Sequence, residues 1–234
     1  MRRALDDGLS AAEAARVALA SELPSGNDLI DDARKRLMDA IQAFDEAGAQ
    51  VALDDALAAF GLELFVRDLI LPTLTAIGSG WEAGGIEVSQ EHFASHLIRG
   101  RLLSLARLWG RGSGPLALLA CAPGEQHDIT LIAFGLILRS HGWRILYLGA
   151  DTPLATLRAT VKMMAPAVAV LVAFDPGLLA PIATEVRRLA RSVPVFLGGP
   201  GAEADLAAAL RLPRLDGDLI EAARQVARAP GGIS

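Results

Sequence analysis

Two kinds of hydrophobic periodicity divide the chain. Between residues 29 and 44, apolar side chains fall at Leu29, Ala33, Leu37, Ala40, Ile41 and Phe44. Steps of three and four put them on one stripe of a helix, entered through a polar segment and capped by Asn27 or Asp28. Further helices are expected over 51–60, over 62–77 with a kink or break at Pro72, and over 89–109. In the last of these, Phe93, Leu97, Leu102, Leu105 and Leu108 would face inward. Four antiparallel segments joined by short loops predict a four-helix bundle over residues 25–110. Ahead of it, Ser10 and Glu13 have the spacing of a capping box for a short helix within 1–24, ending by Pro24. Arg111-Gly112-Ser113-Gly114-Pro115 reads as the domain boundary.

Beyond it the pattern changes to apolar runs of strand length alternating with helical stretches. The first run is 115–120; then come the turn at Pro123-Gly124 and a buried helix through Leu138 that ends at His141-Gly142. Strands follow at 144–148, 167–173 and 195–197, with a short fifth near Leu212. The helices between them start at Pro153, a favoured first helical position, and cover 177–191 and 217–228. Such alternation implies a parallel sheet with right-handed crossovers. The expected fold is therefore α + α/β: the bundle, then a doubly wound, five-stranded, Rossmann-like (flavodoxin-like) domain over 115–234. Ligands of such sheets sit beyond the carboxyl ends of the strands, where Gly198 and Gly199 would allow close backbone approach.

Composition narrows the field. Acidic residues outnumber basic ones, 27 to 22, for a net charge of −5. That surface offers phosphate backbones no attraction, so direct DNA binding by this chain is not expected. A single cysteine excludes an internal disulfide and suits a reducing interior. Met1-Arg2-Arg3 leads into an acidic, Ala-rich stretch, and no apolar run reaches spanning length. A soluble, cytoplasmic protein is expected, without membrane association.

Candidate chemistry begins in the first strand–helix loop, Cys121-Ala122-Pro123-Gly124-Glu125-Gln126-His127-Asp128-Ile129-Thr130. A histidine between carboxylates can hydrogen-bond through one ring nitrogen and present the other as a metal ligand. Taken locally, His127 reads first as a helix-cap residue, since many such loops contain a lone histidine. Glu-x-His-x-x-Thr, followed by Gly-Trp-Arg-Ile-Leu-Tyr-Leu-Gly-Ala-Asp-Thr-Pro (142–153) and Phe-Leu-Gly-Gly-Pro-Gly (196–201), resembles the cobalamin-binding Rossmann domain. The resemblance implies that His127 is the lower axial ligand of cobalt, with Glu125 and Asp128 orienting it or contacting the corrin.

A second constellation, Gly80-Trp81-Glu82-Ala83-Gly84-Gly85-Ile86-Glu87-Val88-Ser89-Gln90-Glu91-His92, lies between the third and fourth helices. Singly, Trp81 could plug a bundle end, and Ser89 to His92 could be a cap that complements the helix dipole. Together they resemble the helical domain of CarH-type light-sensing cobalamin regulators. That resemblance implies that Trp81 packs on an adenosyl ligand of the corrin, Val88 lines its pocket, and Glu91 and His92 contact it. It implies adenosylcobalamin as cofactor. The short N-terminal helix resembles the end of a MerR-type DNA-binding head, of which nothing precedes it here.

The chain departs from the family at several positions. The histidine after the tryptophan is Glu82, a weaker partner for cobalt than imidazole. Thr130 replaces the motif glycine, and Ala173, before Phe174-Asp175, replaces a serine that meets the nucleotide tail. These departures point away from a standard light-released repressor. His96, one turn after His92, is open to three readings: half of a zinc or di-iron pair, a replacement cobalt ligand, or a partner for a second chromophore. The first lacks a matching Glu-x-x-His. Related sensors bind a bilin, and Arg99 and Arg101 could pair with biliverdin propionates or be solvated surface arginines. Cys121 reads as a small buried apolar residue rather than a thioether anchor, and His141 as a helix C-terminal residue.

The expected function is a non-enzymatic photoreceptor module: light acts on adenosylcobalamin held between the helical cap and the Rossmann domain. Signalling would proceed through conformational or oligomeric change, as a homo-oligomer or with a partner regulator. The alternative is a corrinoid-carrying shuttle of a methyltransferase system. A third reading, a structural bundle on an empty nucleotide fold, requires that no corrinoid binds.

Overall fold

The computed structural model describes residues 26–229. The capping box at Ser10 and the rest of the 1–24 helix lie outside them. The chain divides into two compact units between Ala59 and Phe60.

In the first unit, helix α1 (Gly26–Gln42) starts earlier than expected, and Asp28 lies in its first turn rather than at the cap. Ile30, Ala33, Leu37, Ala40 and Ile41 are buried, whereas Leu29 and Phe44 are about half exposed. The stripe therefore runs through Ile30 and ends at Ile41. Helix α2 (Glu46–Leu64) buries Ala49, Ala52, Leu53 and Ala56. Its start is capped by Asp45, whose Oδ1 accepts the Gly48 N–H at 2.9 Å. Arg36 spans the helix pair, reaching Asp32 and Asp55 at 3.1 Å each.

Backbone continuity breaks at Gly61 (φ 72°, ψ 173°), a conformation that favours glycine. A π-helical turn, Phe65–Ile70, then leads into helix α3 (Leu71–Glu82). The expected break at Pro72 is thus displaced to Gly61. Pro72 lies at the start of α3, where a missing N–H is tolerated. Helix α4 (Val88–Leu105) begins with Gln90 Oε1 accepting the Glu87 N–H at 3.0 Å. It ends in a single 3-10 turn, Ala106–Leu108. Tightening there rotates the face. Leu97 and Leu102 are buried as expected, but Leu108 is 57% exposed and Trp109 takes the inward position.

The second unit also contains the sheet. Strands β1 (Leu116–Cys121), β2 (Arg144–Gly149), β3 (Val168–Val172) and β4 (Val195–Gly198) are all parallel, in the order β2-β1-β3-β4. β1 and β3 are buried along their whole length. The order reverses at β1, so a crevice opens beyond the carboxyl ends of β1 and β3. Helices α5 (Ile129–Ser140), α6 (Leu154–Met164), α7 (Ala183–Leu189), α8 (Ala204–Leu210) and α9 (Leu219–Ala227) complete the domain. Pro153 is the N-cap of α6, α7 is shorter than the expected 177–191, and α8 is an addition.

The sheet has four strands, not five. Near Leu212 there is only an isolated bridge, Leu197 to Arg214. Pro213 accepts from the Leu197 N–H through its carbonyl but has no N–H of its own, so the pairing cannot extend into a ladder. Among the described residues, no helix is long and apolar enough to cross a membrane.

Candidate functional site

The β1–α5 loop is held from several sides. The Gly124 N–H donates to Asp151 Oδ1 (2.7 Å), and the Asp151 N–H donates to the Glu125 carbonyl (2.8 Å). Glu125 turns its carboxylate inward, and only 2% of that side chain is exposed. Oε1 accepts the His127 N–H (2.8 Å) and His127 Nδ1 (2.6 Å). Oε2 accepts the N–H groups of Phe174 (2.6 Å) and Asp175 (3.2 Å) in the loop after β3. Burial alone would raise the Glu125 pKa. The donors from His127, Phe174 and Asp175 outweigh it and hold the carboxyl below its ordinary range.

An ionised Glu125 can only accept, so Nδ1 of His127 carries the proton toward it. Nε2 keeps its lone pair on a side chain that is 77% exposed. The imidazole is thus oriented by a buried side-chain partner, with Nε2 left unengaged.

Asp128 does not share in orienting that ring. It is the N-cap residue of α5, yet its carboxylate makes no cap hydrogen bond. It accepts two bonds from Arg99 Nε (3.0 Å each), one from Arg99 Nη2 (2.7 Å) and one from the Tyr147 hydroxyl (2.5 Å). Burial first, and then Asp128, push the Tyr147 pKa up, so the phenol stays protonated and donates. The hydrogen bond to Asp128 likewise raises Arg99. Tyr147 in turn stacks edge-on against Trp109, with ring centroids 5.6 Å apart. Sequence reasoning missed both partners of Asp128, which stand 29 and 19 residues away.

Above the loop is a cavity of roughly 1000 Å³. Trp81, Glu82, Val88, Glu91, His92, His96, His127, Asp128 and Thr130 all line it, so the structure brings the two sequence constellations together. Trp81 and Val88 are about half exposed. Glu91 accepts from Ser95 Oγ at 2.7 Å and lies 3.6 Å from His92 Nε2. His96 Nδ1 is 2.7 Å from the His92 carbonyl, so it carries the proton and donates there.

A smaller, mainly apolar cavity of roughly 300 Å³ runs between the ends of β3 and β4 and helix α9. Gly198, Gly199 and Thr130 line it, and Thr130 and Phe174 border both cavities. Ala173 is fully buried and lines neither. Its N–H donates to the Gly198 carbonyl and its carbonyl accepts from Gly201. Arg99 is committed to Asp128 rather than projecting toward a propionate. The Cys121 thiol is buried, pushed up to about 12 by burial, and points at the His127 carbonyl (3.8 Å). His141 is the C-cap of α5, as expected.

Among the described residues, no three or more His, Cys, Asp or Glu side chains cluster to hold a metal ion. One imidazole with an unengaged nitrogen, on the wall of a large cavity also lined by Trp81 and Val88, fits a metal that brings its other ligands with it. A corrin is such a group, and the residues present fit it.

Residues 33–105 match the B12 binding domain family. The chain is 33% identical over 211 residues to the HTH-type transcriptional repressor CarA of Myxococcus xanthus, covering 88% of this chain and 71% of that protein. It is 30% identical over 229 residues to the HTH-type transcriptional repressor CarH of the same organism, covering 91% and 76%. Among solved structures, the monomethylamine corrinoid protein of Methanosarcina barkeri superposes with a TM-score of 0.68 at 20% identity. That match spans 84% of this chain and 97% of the other and shows a shared fold.

Proposed function

From the premise that this chain belongs to the B12-binding family that includes CarA and CarH, we propose that it is a cobalamin-dependent light-sensing module. A B12 binding domain implies a cobalamin or corrinoid cofactor, and adenosylcobalamin is the form proposed here. When bound, it supplies a light-labile metal–carbon bond. His127 would hold the metal through Nε2, and Glu125, by accepting from Nδ1, leaves Nε2 as the nitrogen with the lone pair in the neutral ring. Trp81 and Val88 would shield the upper face of such a group from water, while Glu91 and His92 would supply polar contacts there. Glu82, on the wall of the same cavity, would be a weaker partner for the metal than an imidazole. Output would pass through movement of α4 to a second copy or a partner regulator.

The observation that carries this reading is that His127, held through Nδ1 with Nε2 unengaged, lines one cavity with the half-exposed Trp81 and Val88. Openness on that upper side favours one rival, a corrinoid-carrying methyl shuttle, which must present its upper ligand to a partner enzyme. A bilin as second chromophore has less in its favour, because Arg99 is engaged and Cys121 is buried.

The test is to load the protein with adenosylcobalamin in the dark and record absorption before and after green light. A corrinoid spectrum that changes on illumination supports the sensor. Stable spectra with methyl transfer to a partner support the shuttle, and a new red band after adding biliverdin supports the bilin version. His127→Ala should abolish imidazole ligation; unchanged ligation would overturn the assignment.

A further inference from the structure

Asp128 is in the wrong place for what it does. A helix N-cap aspartate ordinarily accepts a backbone N–H from the first turn, a bond worth about 1 kcal/mol to the helix. At α5 that bond is not made, although Asp128 occupies the cap position. Its carboxylate is 4% exposed and is given over to the Arg99 guanidinium and the Tyr147 hydroxyl. A bidentate charge-assisted contact of this kind is geometrically exacting.

Its three members come from three elements. Arg99 lies on α4, one turn beyond His96 and two beyond His92 on the face that lines the cavity. Tyr147 lies on β2, and Asp128 directly follows His127 in the loop. The contact thus ties the helix that forms the cavity roof to the residue next to the metal-facing imidazole.

We propose that the Arg99–Asp128–Tyr147 contact is the positioning device that holds α4 over the His127 side of the cavity, and so sets how fast a bound corrinoid escapes. Arg99, Asp128 and Tyr147 are positioning residues, since none of them is asked to touch the metal. A fork of two guanidinium nitrogens fixes the rotation of α4 as well as its distance, which a lysine point charge does not. Tyr147, on β2, donates to the same Oδ2 that accepts from Arg99 Nη2, so the carboxylate is tied to the sheet as well as to the helix. This inference rests on the corrinoid reading above.

The test uses the full chain loaded in the dark with hydroxocobalamin. Corrinoid release is timed after mixing with an excess of a competing corrinoid binder, and the absorption spectrum reports imidazole ligation. The variants are Arg99→Met, Arg99→Lys, Asp128→Asn and Tyr147→Phe. Arg99→Met and Asp128→Asn should release corrinoid roughly tenfold faster or more, with the imidazole-ligated spectrum intact before release. Arg99→Lys should recover part of the loss, and Tyr147→Phe should give a smaller acceleration. Release within twofold of the parent in both Arg99→Met and Tyr147→Phe overturns the proposal. So does loss of the imidazole-ligated spectrum along with retention, which would assign the contact to the fold of the loop instead. If Asp128→Asn does not fold, the two Arg99 variants and Tyr147→Phe decide the matter alone. A parent protein that never retains corrinoid sinks the corrinoid reading itself, a result distinct from parent and variants retaining it equally.

Discussion

Replacing Glu125 by glutamine tests the logic of the site most directly, because the change is isosteric and exchanges one accepting oxygen, and the charge, for an NH2 donor. The carboxylate receives four donors: the His127 N–H and Nδ1 on one oxygen, and the Phe174 and Asp175 N–H groups on the other. The glutamine amide has two orientations. With its NH2 toward Phe174 and Asp175, two backbone donors lose their acceptor, at about 1–3 kcal/mol each. With its NH2 toward His127, only the His127 N–H is stranded, because the imidazole can answer by moving its proton to Nε2 and accepting at Nδ1. The second orientation is better by about one unsatisfied donor, so the tautomer should flip. Nε2 would then carry a hydrogen and no longer coordinate. The expected outcome for Glu125→Gln is a corrinoid affinity about 10- to 100-fold weaker, with loss of the imidazole-ligated absorption spectrum. Stability of the unloaded protein should fall by about 1–3 kcal/mol, from the one stranded donor. Titration of aquacobalamin against both proteins, followed by absorbance, measures the first effect, and urea unfolding measures the second. An unchanged ligation spectrum with parental affinity would refute the argument that Glu125 sets the tautomer.

Other consequences follow from the same geometry. Because the folded Glu125 carboxyl titrates below its unfolded value, its contribution is complete above about pH 4.3 and drains as pH falls through the lower folded pKa. The stability gap between parent and Glu125→Gln, read by urea unfolding, should hold from pH 8 to about pH 5 and narrow only in acid. Cys121, pushed up to about 12, should resist iodoacetamide at pH 8 in the folded protein and react once denaturant is added. Gly199 has φ 83°, and a Cβ there would fall against the Ala173 carbonyl. Gly199→Ala should cost roughly 2–5 kcal/mol, read as a lowered Tm.

What could be read from the chain followed from local periodicity. The apolar strands β1 to β4 are local patterns and formed within two residues of where the spacing put them, whereas the helices expected over 62–77 and 177–191 start at 71 and 183. The histidine loop was legible for the same reason: Glu125 and His127 are two residues apart, so their contact is nearly dictated by the turn. The role of Asp128 was not legible, since its partners Arg99 and Tyr147 meet it only through tertiary packing. Pro72 misled because a proline marks either a kink or a helix start, and only the positive φ of Gly61 decides between them. The fifth strand failed on Pro213, a residue that can receive a ladder bond but not return one. Leu108 failed because a 3-10 turn shifts the phase by which a helical face is counted.

Thr130 and Phe174 stand on the rim common to the large cavity and the narrow one. Any guest filling both compartments must be threaded past a hydroxyl and a benzyl ring, a doorway that screens appendages by girth before the inner walls meet them. Selection among guests sharing one ring system would then be exercised at the sill, during entry.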